Sequence, residues 1–362
     1  YPSNFVNDST VFVISANDSG TDESGVAYSQ YRLNGGTWNN FSGFFDLSLQ
    51  SNGTIIIDYR SIDNVGNIES FNTEIVRLDD NSPTTLISYS ILHGSDFVND
   101  STTFTLSATD AGTGESQVNN TFYKLNGGGW IEYSVPFTIP TNGTYLIEYY
   151  SIDFVGNAEI INSREVRVDV NEPESTIDYN ISHSPDFINQ STAFVLSATD
   201  GAGESQVDDL YYRINGASWL IYNTSFILPS INGTYLIEFY SVDNVGNAEV
   251  INSTTVRLDT NAPTTSIDYD VASGPDFVND TTTFSLSASD AGIGESDVFE
   301  TYYRLNGGGW ITYATAFTLS TNGTYIIDYY SVDNVGNDEG IKSVTVRLDT
   351  NAPTTSIDYD VA

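Results

Sequence analysis

Hydrophobic and polar residues alternate along this chain with a period of two. Phe104, Leu106 and Ala108 alternate with Thr103, Thr105 and Ser107, and the pattern returns at Phe12-Ile14-Ala16, Phe194-Leu196-Ala198 and Phe284-Leu286-Ala288. Such alternation predicts half-buried strands with the apolar side inward. Tyr123-Lys124-Leu125 then runs into Asn126-Gly127, a hairpin signal, ahead of Trp130. After a second Asn-Gly turn, Tyr145, Ile147 and Tyr149 alternate into Asp153, and Val166-Arg167-Val168 gives one more strand. The Pro-Thr-Thr segments begin strands, where the missing N–H of proline is tolerated. Helical periodicity of useful length is absent. The pattern predicts Phe104, Leu106, Trp130, Ile147 and Tyr149 in a core, with Thr105 facing out.

Self-comparison organises these strands into repeats. Pro83, Pro173, Pro263 and Pro353 follow one another at intervals of 90 residues, as do Asp63, Asp153, Asp243 and Asp333. One tryptophan falls in each copy: Trp38, Trp130, Trp219 and Trp310. Repeats of this length, with about seven short strands separated by turns, predict β-sandwiches of immunoglobulin-like type. The expected fold is all-β, a tandem array of four such repeats forming an elongated rod. The expected boundaries are 1–81, 82–171, 172–261 and 262–351, with 352–362 as the first strand of a following repeat.

Composition narrows the function. The chain carries 48 acidic and 11 basic residues, a net charge of −37. That sign excludes phosphate-rich nucleic acid as a partner and disfavours anionic membranes. Carboxylate clusters suit hard cations such as calcium, or simple solubility. With no cysteine there is neither a disulfide nor thiolate chemistry. Within the 362 residues no apolar stretch is long enough to span a bilayer. Eight of the eleven cations occupy two columns, Arg32/Lys124/Arg213/Arg304 and Arg77/Arg167/Arg257/Arg347. Carboxylate partners across strands or in loops are expected for both. Tyr145, Tyr235 and Tyr325 are placed as corner tyrosines, where repeat 1 has Ile55.

The succession Tyr-x-Leu-Asn-Gly-Gly-x-Trp, Asn-Gly-Thr-Tyr, Ser-x-Asp-x-Val-Gly-Asn and Val-Arg-Leu-Asp-Thr-Asn-Ala-Pro-Thr-Thr resembles the immunoglobulin-like repeats of bacterial and archaeal cell-surface proteins, of the OmpL47-like type. The resemblance covers essentially the whole chain. It implies a modular extracellular stalk, adhesin or surface layer, and brings no catalytic residues with it.

Three oxygen-rich segments recur. The loop after the Phe-x-Leu-x-Ala strand carries Asp18/Glu23, Asp110/Glu115, Asp200/Glu204 and Asp290/Glu295. The loop after the long strand carries Asp63/Asn67, Asp153/Asn157, Asp243/Asn247 and Asp333/Asn337. The linkers bring Asp79, Asp80 and Asn81, then Asp169 and Asn171, Asp259 and Asn261, and Asp349 and Asn351. In a sandwich of this topology both loops lie at the end where the linker arrives. Their convergence predicts a calcium site at each junction, because calcium takes several hard oxygens from flexible loops. The Asp-Thr-Asn-Ala-Pro linker also resembles the calcium-binding linker of cadherins, without their full acidic set. The competing reading is turn chemistry, with Asx hydrogen bonds and a glycine at positive φ.

Fourteen Asn-x-Ser/Thr sequons make glycosylation a second candidate. They include the columns Asn7/Asn99/Asn189/Asn279 and Asn52/Asn142/Asn232/Asn322. A tryptophan beside a hairpin in every repeat reads as core packing in preference to a glycan platform. His93 and His183 have no nucleophile beside them, and the carboxylates repeat fourfold where a glycosidase needs one unique cleft. The chain is therefore not expected to be an enzyme. Tyr1 to Asn7 align with Ser273 to Asn279, and Asp360-Val361-Ala362 with Asp270-Val271-Ala272. Repeat 1 is thus expected to lack its first strand, which either a longer array or the tail of a second copy supplies. The leading expectation is an extracellular filament of head-to-tail domains, a homo-oligomer by strand donation. The alternative is an adhesin, a glycan-binding surface stalk or a surface-layer component.

Overall fold

The structure is a computed structural model that describes residues 4–292 and 294–358. The expectations for Tyr1, Pro2, Ser3 and for Tyr359, Asp360, Val361 and Ala362 lie outside the described residues. What is described is built of strands and turns, arranged as four repeated sandwich units. No helix of the described residues is long and apolar enough to cross a membrane.

Repeat 2 shows the plan. Thr84–Ser88 pairs antiparallel with Thr105–Thr109, and Phe104 bridges to Phe137 beside them. The second sheet runs in the order Ile131–Glu132, Val118–Leu125, Gly143–Asp153, Asn162–Val168, Phe97–Val98. Its last pair is parallel and the others antiparallel. Asn126 and Gly127 sit at φ 49° and 70°, as a tight two-residue hairpin requires. Between the sheets Phe104 and Ile147 are fully buried, and Leu106, Ile139, Tyr149, Val166 and Val168 complete the core. Tyr89, from the end of the first strand, lies over Phe104 with ring centroids 5.0 Å apart.

The chain divides into two compact units. One comprises residues 1–171 with 202–205 and 244–247, and the other residues 172–201, 206–243 and 248–362. In the first, repeat 1 has the five-stranded sheet Asn39–Asn40, Val26–Leu33, Gly53–Asp63, Asn72–Leu78, Phe5–Val6. Among the described residues its other sheet is represented by the Phe12–Phe45 bridge. In the second unit Glu174–Asp178 pairs with Ala193–Thr199, and Thr264–Asp268 with Ser285–Ser289. Each of these pairs covers a phenylalanine, Phe194 or Phe284, that is 0% exposed.

Seven of the eight cations in the basic columns find carboxylates. Arg32, Lys124, Arg213 and Arg304 pair across the sheet with Asp58, Glu148, Glu238 and Asp328 at 2.8–3.1 Å. Arg167, Arg257 and Arg347 pair with Asp96, Asp186 and Asp276 at 2.5–3.2 Å. Repeat 1 has Asn4 at that position, and Arg77 lies 5.3 Å from the Phe5 ring. The Tyr235 and Tyr325 hydroxyls donate to the carbonyls of Ile231 and Thr321, four residues back, the contact of a corner tyrosine.

The tryptophans correct the sequence reading. Trp130 is 38% exposed and does not reach the core. Tyr123 and Leu125 pack inward, so Lys124 between them projects from the outer face, and its Nζ lies 4.6 Å from the Trp130 ring. Arg213 over Trp219 and Arg304 over Trp310 repeat the contact at 4.4 and 4.5 Å, and Tyr150, Tyr240 and Tyr330 meet the indoles edge-on. The indole here serves the cation and not the core.

Candidate metal centres

Asp153 ends the long strand Gly143–Asp153 at a register shift, and its backbone then turns through Gly156 at φ 97°. Its Oδ1 accepts the N–H groups of Val155, Gly156 and Asn157 at 3.0, 2.7 and 2.8 Å, while Asn157 Nδ2 donates to Oδ2 at 2.7 Å. This is the Asx turn expected of the motif. The same Asn157 amide also donates to the backbone carbonyls of Asp79 and Asn81, at 2.9 and 3.1 Å. One side chain therefore closes its own turn and grips the linker arriving from repeat 1.

The linker places Asp79 with no exposed surface. Its Oδ2 accepts the Ser116 N–H at 2.6 Å and its Oδ1 the Asn81 N–H at 3.2 Å. Asp110 follows the strand Thr105–Thr109 and accepts the Gln117 N–H at 2.8 Å through Oδ2, while its Oδ1 is buried without a hydrogen-bond partner. Asp79, Asp110 and Asp153 each bring a carboxylate oxygen within 4.8 Å of the others. The linker and both predicted loops converge, as the topology requires.

Backbone contact makes this convergence possible. Gly114, at φ 89°, lies so close to repeat 1 that a Cβ there would fall 2.4 Å from the Leu78 carbonyl oxygen and 2.6 Å from the Gly53 nitrogen. Asn7 of repeat 1 reaches the other loop, its amide donating to the Val155 carbonyl at 2.8 Å.

The second unit repeats the geometry with a changed ligand set. Asp259, Asp290 and Glu295 bring oxygens within 4.8 Å of one another, and Asp290 Oδ2 and Glu295 Oε2 are buried without partners. Asp333 stands beside them, its Oδ1 accepting Val335 and Asn337 N–H groups at 3.0 and 2.8 Å. Asn337 Nδ2 holds the Asp259 and Asn261 carbonyls at 3.3 and 3.0 Å. Asn261 Nδ2 donates to Glu295 at 2.9 Å. Gly294, at φ 87°, again packs on the preceding repeat's backbone, where a Cβ would fall 2.9 Å from Gly233 N.

Burial and mutual repulsion set the electrostatics of these carboxylates. Burial pushes the Asp290 carboxyl up to about 7, helped by Asp259, Glu295 and Asp333. Burial, then the Asp79 charge, raises Asp110. Asp333 is raised too, because burial and Asp259 outweigh the hydrogen bonds from Asn337. The ion pairs found among the described residues engage other carboxylates. Two unit charges 4.8 Å apart repel by about 3 kcal/mol at an effective dielectric near 20. Buried oxygens with no donor, grouped and all of one sign, fit a hard divalent cation.

The remaining candidates lie elsewhere or in other settings. Asp80 is exposed and its carboxyl sits beside Asp8, outside the triad, while Glu115 accepts the Gly112 N–H at 2.7 Å. Asp169, Asn171, Glu204 and Asn247 belong to the first unit, where Asp169 is fully buried and accepts the Ser205 N–H at 2.6 Å. Asp200 and Asp243 belong to the second unit. Asp18, Glu23, Asp63 and Asn67 of repeat 1 meet no linker among the described residues. Asp349 accepts the Asn351 N–H at 2.9 Å and the Asn322 amide at 3.5 Å, and its own N–H donates to the Val278 carbonyl at 3.0 Å.

Both sequon columns have members tied into the junctions. Asn189 donates to the Val335 carbonyl at 3.1 Å as Asn7 does to Val155, and Asn99 and Asn279 hold equivalent positions in their repeats. Asn52, Asn142, Asn232 and Asn322 accept the outgoing linker's N–H at residues 80, 170, 260 and 350, at 2.6–3.1 Å. Sequence reasoning missed this bracing, and missed Ser116 and Ser296, whose N–H groups orient the linker aspartates. The signal was present in the recurring Gly-Glu-Ser at 114–116, 203–205 and 294–296.

No family model matches the chain, and no curated protein matches it. Among solved structures, a tetra-tandem repeat from the extending region of a large adhesion protein is 16% identical, covering 96% of this chain and 99% of its own, with a TM-score of 0.33. A structure from a 1.5-MDa bacterial ice-binding adhesin is 18% identical over 71% of this chain and 95% of its own, at 0.34. Protocadherin gamma B7 extracellular cadherin domains 1–4 are 10% identical over 88% and 91%, at 0.27. What the junctions do therefore rests on this chain's own residues.

Proposed function

We propose that this chain is an extracellular spacer, a stalk of the adhesin or surface-protein type whose repeats are locked end to end by calcium. The observation that carries this reading is the buried triad Asp79/Asp110/Asp153 and its counterpart Asp259/Asp290/Glu295, with unpartnered oxygens inside. A cation there neutralises three carboxylates, one from a linker and two from the loops that meet it, so its binding joins two repeats and not merely one loop. Carboxylate and amide oxygens favour calcium over zinc, and carboxylate loops of irregular geometry favour it over the strictly octahedral magnesium. The role is mechanical, which agrees with sites that recur per repeat. A stalk takes precedence over a filament as the primary role, because the cages act along one covalent chain.

Calcium titration by calorimetry tests this. Binding should appear at the complete junctions and be lost at one of them in Asp259→Asn. A chain that binds no calcium, or whose melting ignores chelator, overturns the reading.

A further inference from the structure

We infer that repeat 2 carries a binding site for a carboxylate borne on a hydroxylated ring, the chemistry of a sugar acid, in the cleft between the end of its first strand and the strand Asn162–Val168. A cavity of about 330 Å³ lies there, with Ser88, Tyr89, Ile91, Tyr149, Ser163 and Arg164 in its wall. Pockets that hold small organic ligands begin at about 300 Å³. Among the described residues no acidic side chain lines this cleft, in a chain that has 48 of them. Alternation puts Arg164 on the side of its strand that carries Val166 and Val168, so its stem starts from the space between the sheets while its head is exposed.

The cleft departs from the repeat's own pattern. Positions 88, 90 and 164 hold Ser88, Ser90 and Arg164, where repeat 3 has Asp178, Asn180 and Thr254 and repeat 4 has Asp268, Asp270 and Val344. One carboxylate in repeat 3, and two in repeat 4, thus give way to a single cation. The frame around them is kept. Tyr89, Tyr179 and Tyr269 stand alike over Phe104, Phe194 and Phe284, at 5.0–5.1 Å between centroids. In repeat 3 the Tyr179 hydroxyl meets Thr254 Oγ1 at 3.0 Å, the place that the guanidinium takes in repeat 2.

Arg164 has donors to give and no carboxylate of its own. Of the three cations outside the two columns, Lys342 pairs with Glu339 at 2.8 Å, and Arg60 donates to Gln30 and lies 4.0 Å from the Trp38 ring. Arg164 joins no ion pair among the described residues. Its Nε donates to the Tyr89 hydroxyl at 2.5 Å and its Nη2 to the Ser95 carbonyl at 3.5 Å. The neighbouring Asp96 is held by Arg167 through both oxygens, at 2.8 and 2.9 Å. A guanidinium has five N–H donors, and with two engaged here three are left. The Tyr89 hydroxyl accepts from Arg164 and keeps its own proton to donate. Such a planar set of donors fits a carboxylate. Ser88, Tyr89, Tyr149 and Ser163 bring hydroxyl-bearing residues to the wall, beside Ile91 at 43% exposure, a mixture that suits a hydroxylated ring better than an aromatic one. At physiological salt, charges beyond about 8 Å are largely screened, so this wall and not the net charge of −37 decides what enters.

The test titrates the full chain with methyl glucuronide, methyl glucoside and benzoate, following the Arg164 and Tyr89 side-chain signals by NMR. Glucuronide should bind at one site per chain, and the other two probes at least about tenfold more weakly. Arg164→Thr and Ser88→Asp place the residues of repeat 3 in repeat 2, so the fold should be retained while glucuronide binding weakens about tenfold or more in each. The reverse graft in repeat 4, Asp268→Ser with Asp270→Ser and Val344→Arg, should raise the number of sites from one to two, which a merely structural arginine would not do. The junction carboxylates lie outside the cleft, so the outcome is judged apart from the calcium reading. A chain that binds no glucuronide, or a folded Arg164→Thr chain that binds it as tightly as the parent, overturns the inference. Glucoside or benzoate bound as tightly as glucuronide overturns it as well, the first by removing the carboxylate from the assignment and the second by removing the sugar.

Discussion

The junction at Asp79/Asp110/Asp153 and the matching end of repeat 1 contain nearly the same loops, yet only the first is a closed site. In both, the turn aspartate makes its Asx bonds. Asp63 Oδ1 accepts Val65 and Asn67 N–H groups at 3.0 and 2.7 Å, much as Asp153 does with its own loop. Turn chemistry is therefore complete without a linker. What the linker adds is a third carboxylate and a lid. Asp153 is wholly buried where Asp63 is half-exposed, and Asn157 grips two linker carbonyls where Asn67 reaches Asp63. The pKa directions follow. For Asp63, hydrogen bonds outweigh burial and lower it, whereas for Asp333, under its linker, burial and Asp259 prevail and raise it. The Asp-x-Val-Gly-Asn motif thus makes the same turn in both places, and the linker adds the further carboxylate.

Removing calcium should separate the two regions most sharply. At 100 times the dissociation constant a bound ligand stabilises by about 2.7 kcal/mol, which moves the melting of a domain this size by roughly 10 °C or more. Calorimetry with and without chelator should show that loss for repeats at closed junctions, and Asp63→Asn should leave it unchanged. Next in size is Gly114→Ala, since a Cβ there meets backbone atoms of repeat 1 at 2.4 and 2.6 Å and φ is 89°. It should cost about 2 kcal/mol or more. Protease nicking between repeats 1 and 2 should rise, while a Gly25→Ala change, at the open end, should show no such effect on that junction.

Asp290→Asn sharpens the comparison in the opposite sense. Without metal it should raise the melting temperature by about 5 °C, the shift that ~1 kcal/mol produces, because it removes a charge that burial and its neighbours disfavour. With calcium it should lower it. The smallest effect concerns the strands Glu174–Asp178 and Thr264–Asp268. Burial alone would raise Glu339 and Glu249, but hydrogen bonds prevail, from Lys342 and Thr265 to the first and from Ser175 and Ser241 to the second, and both lie below the ordinary 4.5. A lowered folded pKa means that the unfolded chain binds more protons as pH falls. The stability these groups give is full above 4.5 and lost as pH falls through their folded values. Hydrogen exchange at Thr265 and Ser175 should accelerate there, relative to other strands of the same repeats.

Much of this molecule was legible as sequence because its signals are local. Period two gave the strands, the Asn126-Gly127 pair gave the hairpin, and the 90-residue interval gave the copies. The basic columns also declared themselves, since a cation on a strand faces a fixed cross-strand neighbour such as Asp58 or Glu148. Other features were not decided locally. Trp130 was expected inside, but its side of the sheet depends on its register opposite Lys124. Which carboxylates meet also lay beyond spacing, for Glu295 enters its cage while Glu115 turns to Gly112 and Asp80 to Asp8. Sequence supplies donors at regular intervals. Only the packing of Gly114 on Gly53 and the grip of Asn157 on the linker determine which oxygens lose their water, because burial is a property of the assembled junction and not of any segment within it.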